Sequence, residues 1–482
     1  MARFDYDMAI IGGGAAGLTV ASGSAQLGAK TLLIENEPKL GGDCLHFGCV
    51  PSKTLIHTAS VYHAMKNAAA FGLPSIEPPP VDFRKISARI REVIDSIQEH
   101  DSEERFCSLG ALVKFGQAEF VDEHTVMLGG ERITSKHWVI ATGSSPYVPD
   151  IDGLSSTPYL TNRQLFSMEK LPASMIILGG GPIGIEMAQA FGRLGTKVTV
   201  VQKRGQILDK EDSDLAGIVM SIMASEGVKF HLNSEVLKVR DVGVEREVHI
   251  STGGQMITLR AEALLVASGR VANVRGLGLD KAGVKFTPRG IGVDSRMRTS
   301  QKHIFAAGDV TGAYQFTHAA GYEGSVVVSN AIFRLPRRAD YANFPWCTYT
   351  DPELASIGMN EKRAAAAGVK YTAWSEEFRT NDRSLAEGCR LGRIRMLVSD
   401  KGAPIGIQIL GPHAGELISE WVAVMNSKMK LSTLASSVHP YPTLGEINKR
   451  VAGSMFASKI FSDKVRAGLK LFFNYKGRAC KQ

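Results

Sequence analysis

The sequence has little cysteine and no long apolar run. Its 482 residues include six cysteines, too few for a disulfide framework, so we expect a reducing, cytoplasmic setting. No stretch is apolar enough to span a bilayer, and the first residues resemble a strand rather than a signal peptide. Aromatic residues make up 7% of the chain and do not interleave with basic ones, so we expect no nucleic-acid partner.

Outside the C-terminal tail, neither sign of charge is in excess. The formal net charge is +8, and residues 447–482 carry nine basic residues against one acid, Asp463, which is also 9 − 1 = +8. The basic residues are Lys449, Arg450, Lys459, Lys464, Arg466, Lys470, Lys476, Arg478 and Lys481. The body of the chain is therefore neutral, and its length suits about three domains.

Two cysteines, Cys44 and Cys49, stand five positions apart in a stretch that runs Gly-Asp-Cys-Leu-His-Phe-Gly-Cys-Val-Pro-Ser-Lys and ends at Lys53. Thiols at this spacing can form a small-loop disulfide without rearranging the fold. If they begin a helix, its free N–H groups and dipole stabilise a thiolate, the species that attacks disulfides and binds soft metals. Two small buried residues are the alternative, but the flanking sequence favours a redox-active pair.

The segment before the cysteines has the pattern of a dinucleotide-binding unit. A strand at Met8–Ile11 is followed by the glycine-rich turn Gly12–Gly17, a helix to about Leu27, and a strand at Thr31–Ile34 that ends at Glu35. The glycines permit a tight turn and close approach to a pyrophosphate, and the acid can accept hydrogen bonds from a ribose. The expected contacts are Gly12, Gly14, Gly17 and Glu35.

The same pattern recurs later in the chain. A strand at Met175–Leu178 precedes the turn Gly179–Gly184, and a second strand at Val198–Val201 ends at Gln202. Gln202 stands where the first unit has an acid, and two cations follow it, which suits a 2′-phosphate and hence NADPH; solvated loop charges are the alternative. The expected contacts are Gly179, Gly181, Gly184, Gln202, Lys203 and Arg204.

Three further apolar strands end in small-residue turns, as strands that return to a nucleotide-binding sheet do. They run into Thr142, Gly269 and Asp309. Asp309 can hydrogen-bond a ribityl hydroxyl, or it can cap the next helix. The remaining candidate cofactor contacts are Gly42, Asp43, Gly116, Thr142, Gly143 and Gly269.

Together these motifs resemble the pyridine nucleotide–disulfide oxidoreductases over nearly the whole chain, to about residue 455. The resemblance implies an α/β fold with two Rossmann-like dinucleotide-binding domains, for FAD and NAD(P)H, and an α+β C-terminal domain that forms a homodimer. The expected boundaries are 1–150 and 271–340 for the FAD domain, 151–270 for the NAD(P) domain, 341–455 for the interface domain and 456–482 for a basic extension.

The resemblance also implies roles for individual residues. Cys44 would be the interchange thiol that meets substrate, and Cys49 the thiol beside the flavin. Lys53 would lie by the flavin, with Glu186 as its acidic partner near the nicotinamide. Near the C-terminus, His439 and Glu446 would form an acid–base pair that serves the dithiol of the partner subunit. No role for a metal is expected in the protein itself.

The substrate is less well defined by the sequence. Mercuric reductases, which the Gly42–Lys53 stretch resembles, carry an adjacent pair of C-terminal cysteines and lack a histidine at His439, whereas this chain has only Cys480 there. The missing acid at Gln202 disfavours the NAD-dependent dihydrolipoamide dehydrogenases, and the tripeptide contacts of glutathione reductase are not identifiable. We expect a disulfide or dithiol substrate, small molecule or protein, with mercury as the alternative.

The tail beyond Glu446 is longer than is usual in this family. Phe461, Val465, Leu469, Phe472 and Phe473 fall on one helical face, and basic residues lie elsewhere on the same helix. Such a helix can lie on an anionic membrane surface, or its apolar face can pack on the dimer. Two other classes of function stay open: a quinone reductase that does not need the cysteines, and a component that docks on a larger complex.

Overall fold

The computed structural model describes residues 4–480, which form two compact units. The first contains the chain up to Gly205 together with Glu226–Asp340, and the second contains Gln206–Ser225 together with the chain from Tyr341 onward. Residues 206–225, expected inside the NAD(P) domain, thus pack with the C-terminal part of the chain.

The first 150 residues contain seven strands and five α-helices in the described part. The strands are β1 (Tyr6–Ile11), β2 (Thr31–Glu35), β3 (Ala111–Phe115), β4 (Ala118–Phe120), β5 (Thr125–Leu128), β6 (Glu131–Ile140) and β7 (Ser144–Pro146). The helices are α1 (Ala15–Gln26), α2 (Gly42–His46), α3 (Cys49–Lys66), α4 (Phe83–Gln98) and α5 (Glu103–Ser108).

The next segment, to residue 340, completes the first unit and contributes α8 to the second. Its strands are β8 (Ser174–Leu178), β9 (Lys197–Val201), β10 (Lys229–His231), β11 (Ser234–Asp241), β12 (Arg246–Thr252), β13 (Gln255–Ala261), β14 (Ala263–Val266), β15 (Arg270–Ala272), β16 (Phe286–Thr287), β17 (Gly290–Ile291) and β18 (Ile304–Ala306). Its helices are α6 (Asn162–Leu165), α7 (Pro182–Leu194), α8 (Ser213–Ser225) and α9 (Thr317–Ala331).

One mixed and one parallel sheet organise the first unit, and in the mixed sheet β4, β5 and β6 pair antiparallel. In the larger, the order is β3-β2-β1-β6-β5-β4, with β18 also paired to β6. In the smaller, the order is β10-β9-β8-β14, and all its pairs are parallel. Within β1, Met8 and Ile10 pack in one core cluster and Ala9 and Ile11 in another, because successive side chains point to opposite faces of a sheet.

The C-terminal unit is built on one antiparallel sheet. Its strands are β19 (Pro345–Thr348), β20 (Glu353–Gly358), β21 (Thr372–Glu377), β22 (Arg393–Val398) and β23 (Pro404–Gly411), in the order β19-β20-β23-β22-β21. Its helices, besides α8, are α10 (Glu361–Ala366), α11 (Asp382–Ala386), α12 (Ala414–Asn426), α13 (Leu431–Ser436), α14 (Glu446–Ile460) and α15 (Asp463–Phe473). This α+β arrangement agrees with the expected fold class.

A buried carboxylate attaches residues 206–225 to this sheet. Glu211 accepts hydrogen bonds from Trp346 Nε1 at 2.6 Å, Ser356 Oγ at 2.7 Å and Gln408 Nε2 at 2.8 Å. Next to it, the buried Arg395 forms ion pairs with Asp212, Asp214 and Glu361. A buried charge is tolerated where its hydrogen bonds are made, so this network explains why the segment belongs to the second unit.

Candidate active site

The structure brings the two predicted cysteines together at the junction of two helices. Cys44 lies in α2, and Cys49 is the first residue of α3. Between them, a Cβ placed on Gly48 would lie 2.8 Å from the carbonyl oxygen of Asp43 and 3.1 Å from the Cα of Cys44. Only glycine fits this close approach, which explains why the two thiols can meet across a five-residue spacing.

The surroundings of the pair separate the two pKa values. A hydrogen bond from Cys44 lowers the pKa of Cys49 to about 6, and the Thr317 hydroxyl and the positive charge of Lys53 act in the same direction. The same hydrogen bond raises the pKa of Cys44. In the dithiol state, Cys49 is therefore the thiolate at neutral pH, and Cys44 holds the proton.

Thr317 is a contact that the sequence did not reveal. It is the first residue of α9, and its Oγ1 lies 3.4 Å from Cys49 Sγ although the two residues are 268 positions apart. A thiolate has no proton, so the threonine hydroxyl must be the donor when Cys49 is ionised. No pattern near Thr317 could have indicated this contact, because it depends on how α9 packs.

Thr317→Val is expected to raise the pKa of Cys49 from about 6 to about 7, because a hydrogen bond to a charged group contributes about 1.5 kcal/mol or more. The measurement is the rate of Cys49 alkylation against pH in the reduced holoenzyme, read by mass spectrometry. Thr317→Ser, which keeps the hydroxyl, is the matched control. An unchanged midpoint in the valine variant means that Thr317 does not stabilise the thiolate.

Lys53 and Glu186 form the expected pair. Lys53 Nζ lies 2.8 Å from Glu186 Oε2, with the glutamate side chain 6% exposed. Lys53 is on α3 and Glu186 on α7, so one ion pair connects the helix of the cysteines with the helix of the second glycine-rich turn. Both charges act on the pKa of Cys49: the positive charge of Lys53 lowers it, and the negative charge of Glu186 raises it.

The first glycine-rich turn has the geometry of a dinucleotide site. A Cβ on Gly17 would lie 1.8 Å from the carbonyl oxygen of Gly12, so strand and helix are closer than any other residue allows. Gly14 is the N-cap of α1 and provides no side-chain hydrogen bond, which leaves the N–H groups of the first turn for a pyrophosphate. Glu35 Oε2 accepts the Gly13 N–H at 2.6 Å.

The second turn repeats these contacts with one change. A Cβ on Gly184 would lie 2.1 Å from the carbonyl oxygen of Gly179, and Gly181 is the N-cap of α7 without a side-chain hydrogen bond. Gln202 Oε1 accepts the Gly180 N–H at 3.2 Å, the contact that Glu35 makes in the first turn. Nearby, Lys203 Nζ forms an exposed ion pair with Glu235 at 2.7 Å. Both turns therefore fit a dinucleotide.

A polar cluster surrounds Asp309, which follows strand β18, and reaches Asp43 on α2. Asp309 accepts a hydrogen bond from Ser144 Oγ at 2.5 Å, and burial raises its pKa. Arg270 lies 3.7 Å from Asp309 and 2.9 Å from Asp43. Neither Arg270 nor Ser144 was singled out in the sequence. Because Asp309 is half-buried beside donors, it fits a group that offers hydroxyls.

The other predicted cofactor contacts occupy turns next to these groups. Gly42 approaches Gly14, since a Cβ on it would lie 2.8 Å from the Gly14 Cα. Thr142 Oγ1 donates to the Asn273 carbonyl at 2.8 Å, and Gly116 N donates to the Glu35 carbonyl at 2.8 Å. Positive φ angles occur at Gly116, Gly143 and Gly269. All of these residues lie in the first unit.

His439 has a carboxylate partner, but the partner differs from the predicted one. Its Nε2 lies 3.0 Å from Glu420 Oε1 on α12, and its Nδ1 lies 3.3 Å from the Ser437 carbonyl. Glu446 is the first residue of α14, and its buried Oε2 has no hydrogen-bond partner among the described residues. The predicted His439–Glu446 pair is thus corrected to His439–Glu420 within the protomer.

Asn448 is the reason for this pairing. Its Nδ2 donates to Glu420 Oε2 at 2.9 Å, and its Oδ1 accepts from Trp421 Nε1 at 2.8 Å. Glu420 is thereby held toward the loop that carries His439. In the same loop, Tyr441 is 70% exposed and donates to Asp382 Oδ2 at 2.9 Å, and it is a second titratable side chain that the sequence did not single out.

Two absences concern the described residues only. No helix between residues 4 and 480 is long and apolar enough to cross a membrane. No group of three or more His, Cys, Asp or Glu side chains in that range is arranged to hold a metal ion.

The two glycine-rich turns each fit a dinucleotide, and the two cysteines have different pKa values. Together they define a class of protein, the oxidoreductases that combine two dinucleotides with a redox-active dithiol. Residues 6–324 match the pyridine nucleotide-disulphide oxidoreductase family, and residues 344–452 match its dimerisation domain. The chain belongs to this family. It is an FAD-dependent enzyme that uses a nicotinamide cofactor, and its dimerisation domain supports a homodimer.

Relatives with different substrates match almost the whole chain. Dihydrolipoyl dehydrogenase of Bacillus subtilis (strain 168) is 33% identical over 91% of this chain and 96% of its own. Mercuric reductase of Streptomyces lividans is 31% identical over 95% of this chain and 98% of its own. The structure of the Cu(II) complex of the HOCl-induced flavoprotein disulfide reductase RclA from Escherichia coli aligns with a TM-score of 0.84, at 28% identity over 94% of this chain and all of its own.

Proposed function

We propose that this enzyme uses the Cys44–Cys49 pair to reduce a disulfide substrate at the expense of NADPH, or to oxidise a dithiol in the reverse direction. The observation that carries the proposal is the difference between the pKa values of the two cysteines: the pKa of Cys49 is lowered to about 6, and the pKa of Cys44 is raised. A dithiol that stores one thiolate and one proton is suited to thiol–disulfide exchange.

We keep the domain boundaries expected from the sequence as part of this proposal, except that residues 206–225 pack with the C-terminal unit. Residues 1–150 and 271–340 would hold FAD through Gly12, Gly14, Gly17 and Glu35, with Asp309 on its ribityl chain. Residues 151–270 would hold the nicotinamide cofactor through Gly179, Gly181 and Gly184, and residues 341–455 would form the interface domain. When bound, FAD would supply the two-electron redox chemistry between the nicotinamide cofactor and the disulfide.

The exchange itself needs only the two cysteines and a base. The Cys44 thiolate attacks one sulfur of the substrate disulfide, which breaks that bond, releases one thiol and leaves a mixed disulfide on Cys44. The Cys49 thiolate then attacks Cys44, which releases the second thiol and reforms the Cys44–Cys49 disulfide. Because the raised pKa of Cys44 keeps it protonated, the first attack requires a proton acceptor.

We assign the proton transfer to Nδ1 of His439 of the partner subunit, which must give up its 3.3 Å contact with the Ser437 carbonyl to take the proton of Cys44. An imidazole that is oriented by a carboxylate, here Glu420 at 3.0 Å, can act as a general acid and base. The dimerisation-domain match over residues 344–452 supports such an arrangement, since His439 lies within it. Lys53 and Glu186 would adjust the charge beside Cys49 and the flavin.

NADPH is the preferred coenzyme in this proposal. Gln202 brings no negative charge to the second turn, and the two basic residues after it are exposed. A 2′-phosphate needs cationic partners, and a carboxylate at this position would repel it. Glu235 already pairs with Lys203, so the phosphate must compete for this lysine.

Replacing Lys203 and Arg204 with alanine together is expected to raise the KM for NADPH about 30-fold, because each charge-assisted contact contributes about 1 kcal/mol or more. The KM for NADH should change less than about twofold, since NADH lacks the phosphate. Steady-state kinetics with both coenzymes measures this. Lys281→Ala, which removes a similar exposed lysine paired with Glu119, is the control. Equal changes for both coenzymes would contradict the assignment.

Mercury(II) is a second candidate substrate, which relatives named mercuric reductase support. Two thiolates are soft ligands for such an ion. A panel of low-molecular-weight disulfides, protein disulfides and Hg(II), offered as oxidants to the NADPH-reduced enzyme, separates the two. We expect faster reoxidation by a disulfide; faster reoxidation by Hg(II) would assign the mercury chemistry.

We propose a reducing, cytoplasmic location for the enzyme, because so few cysteines in 482 residues leave no disulfide framework. The basic extension at residues 456–482 is the proposed place of a peripheral membrane contact.

A further inference from the structure

The helix α15 begins at a defined turn after α14. The Ser462 side chain accepts the Val465 N–H at the start of the helix. Arg466 donates to the Phe461 carbonyl at 2.6 Å and pairs with Asp463 at 3.2 Å. These contacts fix the direction in which α15 leaves α14, so the helix is a defined element with two distinguishable faces.

One face of α15 is apolar and only partly covered in the described protomer, with Val465 39% and Leu469 40% exposed. Val465, Leu469 and Phe472 recur at intervals of four and three residues, which places them on the same side of a helix. Phe473 is the last residue of α15, whereas Phe461, expected on the same helical face, lies in the turn before the helix. No residue of α15 is buried, and Phe472 is 80% exposed. Contiguous apolar surface of this kind usually marks an interaction site.

The charge around this face is positive. Lys464 and Lys470 lie beside the apolar stripe, and neither has an ion-pair partner among the described residues. The helix has one acid, Asp463, and it is engaged by Arg466. Because residues 447–482 carry the whole net charge of +8, the rest of the chain offers no excess of negative charge to this helix.

This charge distribution indicates which of two surfaces, a second copy of the chain or a phospholipid bilayer, covers the apolar face of α15. A second copy of the chain is neutral in its body and equally basic in its tail, so it offers no electrostatic complement. An anionic phospholipid surface offers both negative charge for the lysines and an apolar layer for the phenylalanine and leucine side chains.

We propose that α15 lies on the surface of an anionic phospholipid bilayer. Val465, Leu469 and Phe472 enter the headgroup layer, and Lys464 and Lys470 contact lipid phosphates. The helix thereby holds the enzyme at the membrane without crossing it. This proposal is independent of the disulfide chemistry, because no residue of α15 belongs to the site.

The test is cosedimentation of the full-length holoenzyme with vesicles of phosphatidylcholine alone or with a third of phosphatidylglycerol. We expect binding to the anionic vesicles only. Lys464→Gln with Lys470→Gln is expected to lower the partition coefficient about 30-fold, and Leu469→Ser with Phe472→Ser at least about tenfold. Leu471→Ser is the matched control, because Leu471 is 79% exposed but lies away from the stripe.

Three results would overturn the proposal. The first is equal binding to neutral and anionic vesicles, or binding to neither. The second is equal loss of binding in Leu471→Ser and in the Leu469 and Phe472 double variant. The third is dissociation of the dimer by that double variant in light scattering, which would assign the face to a second copy. Unchanged NADPH oxidation in every variant shows that the chains are folded.

Discussion

Replacing Cys44 with serine is expected to lower NADPH-dependent disulfide reduction by at least about a thousandfold. A serine hydroxyl ionises far above neutral pH and cannot form the mixed disulfide, so the exchange has no nucleophile. Transfer of electrons from NADPH to a small artificial acceptor such as ferricyanide should continue, because it does not pass through Cys44. Steady-state assays with both acceptors separate the two activities.

Cys107→Ser is the matched control for this variant. Cys107 is an exposed thiol on α5, whereas Cys44 and Cys49 lie on α2 and α3. It should keep full disulfide reduction. If Cys44→Ser kept its disulfide turnover, the pair would be dispensable. Full quinone reduction combined with negligible disulfide reduction in the wild-type enzyme would instead favour the quinone reductase, and a partner bound equally well by Cys44→Ser would favour a docking component.

The second large effect is expected at His439. His439→Gln should lower disulfide turnover by about 10² to 10⁴, the usual contribution of a positioned acid–base group. Reduction of an artificial acceptor should be unaffected. Glu420→Gln should cause a smaller loss, on the order of tenfold, because the amide still reaches the ring but no longer complements its charge.

Tyr441→Phe discriminates between the two titratable side chains of this loop. His439 makes contacts through both ring nitrogens within its own protomer, whereas Tyr441 is mostly exposed. The proposal predicts near-normal turnover in Tyr441→Phe. A large loss there, with activity retained in His439→Gln, would transfer the proton-carrying role to the tyrosine hydroxyl and its partner Asp382.

The local elements of the fold were predictable because their signals are local. The strand at Met8–Ile11 is β1, which begins at Tyr6, and the helix after Gly14 is α1, which ends at Gln26. Apolar runs and glycine turns encode these elements within a few residues. The repeat at Gly179–Gly184 was predictable for the same reason, whereas the hydrogen bond of the Gly180 N–H to Gln202 was not part of the prediction.

The contacts that depend on packing were not predictable. Thr317 reaches Cys49 from 268 positions away, and no periodicity in either segment indicates it. The pairing of His439 with Glu420 depends on how Asn448 holds α12, whereas a motif alone suggested Glu446. Likewise, the attachment of residues 206–225 to the C-terminal unit rests on Glu211, a single buried carboxylate whose donors lie more than 130 positions away.

The most direct test of the proposed function is to ask whether electrons from NADPH reach the cysteine pair. The oxidised holoenzyme is mixed anaerobically with NADPH, quenched with iodoacetamide and digested, and the alkylation of each cysteine is read by mass spectrometry. The proposal predicts that Cys44 and Cys49 are unmodified before NADPH and both alkylated after it, with the other cysteines unchanged. Equal alkylation of Cys44 and Cys49 with and without NADPH would contradict it.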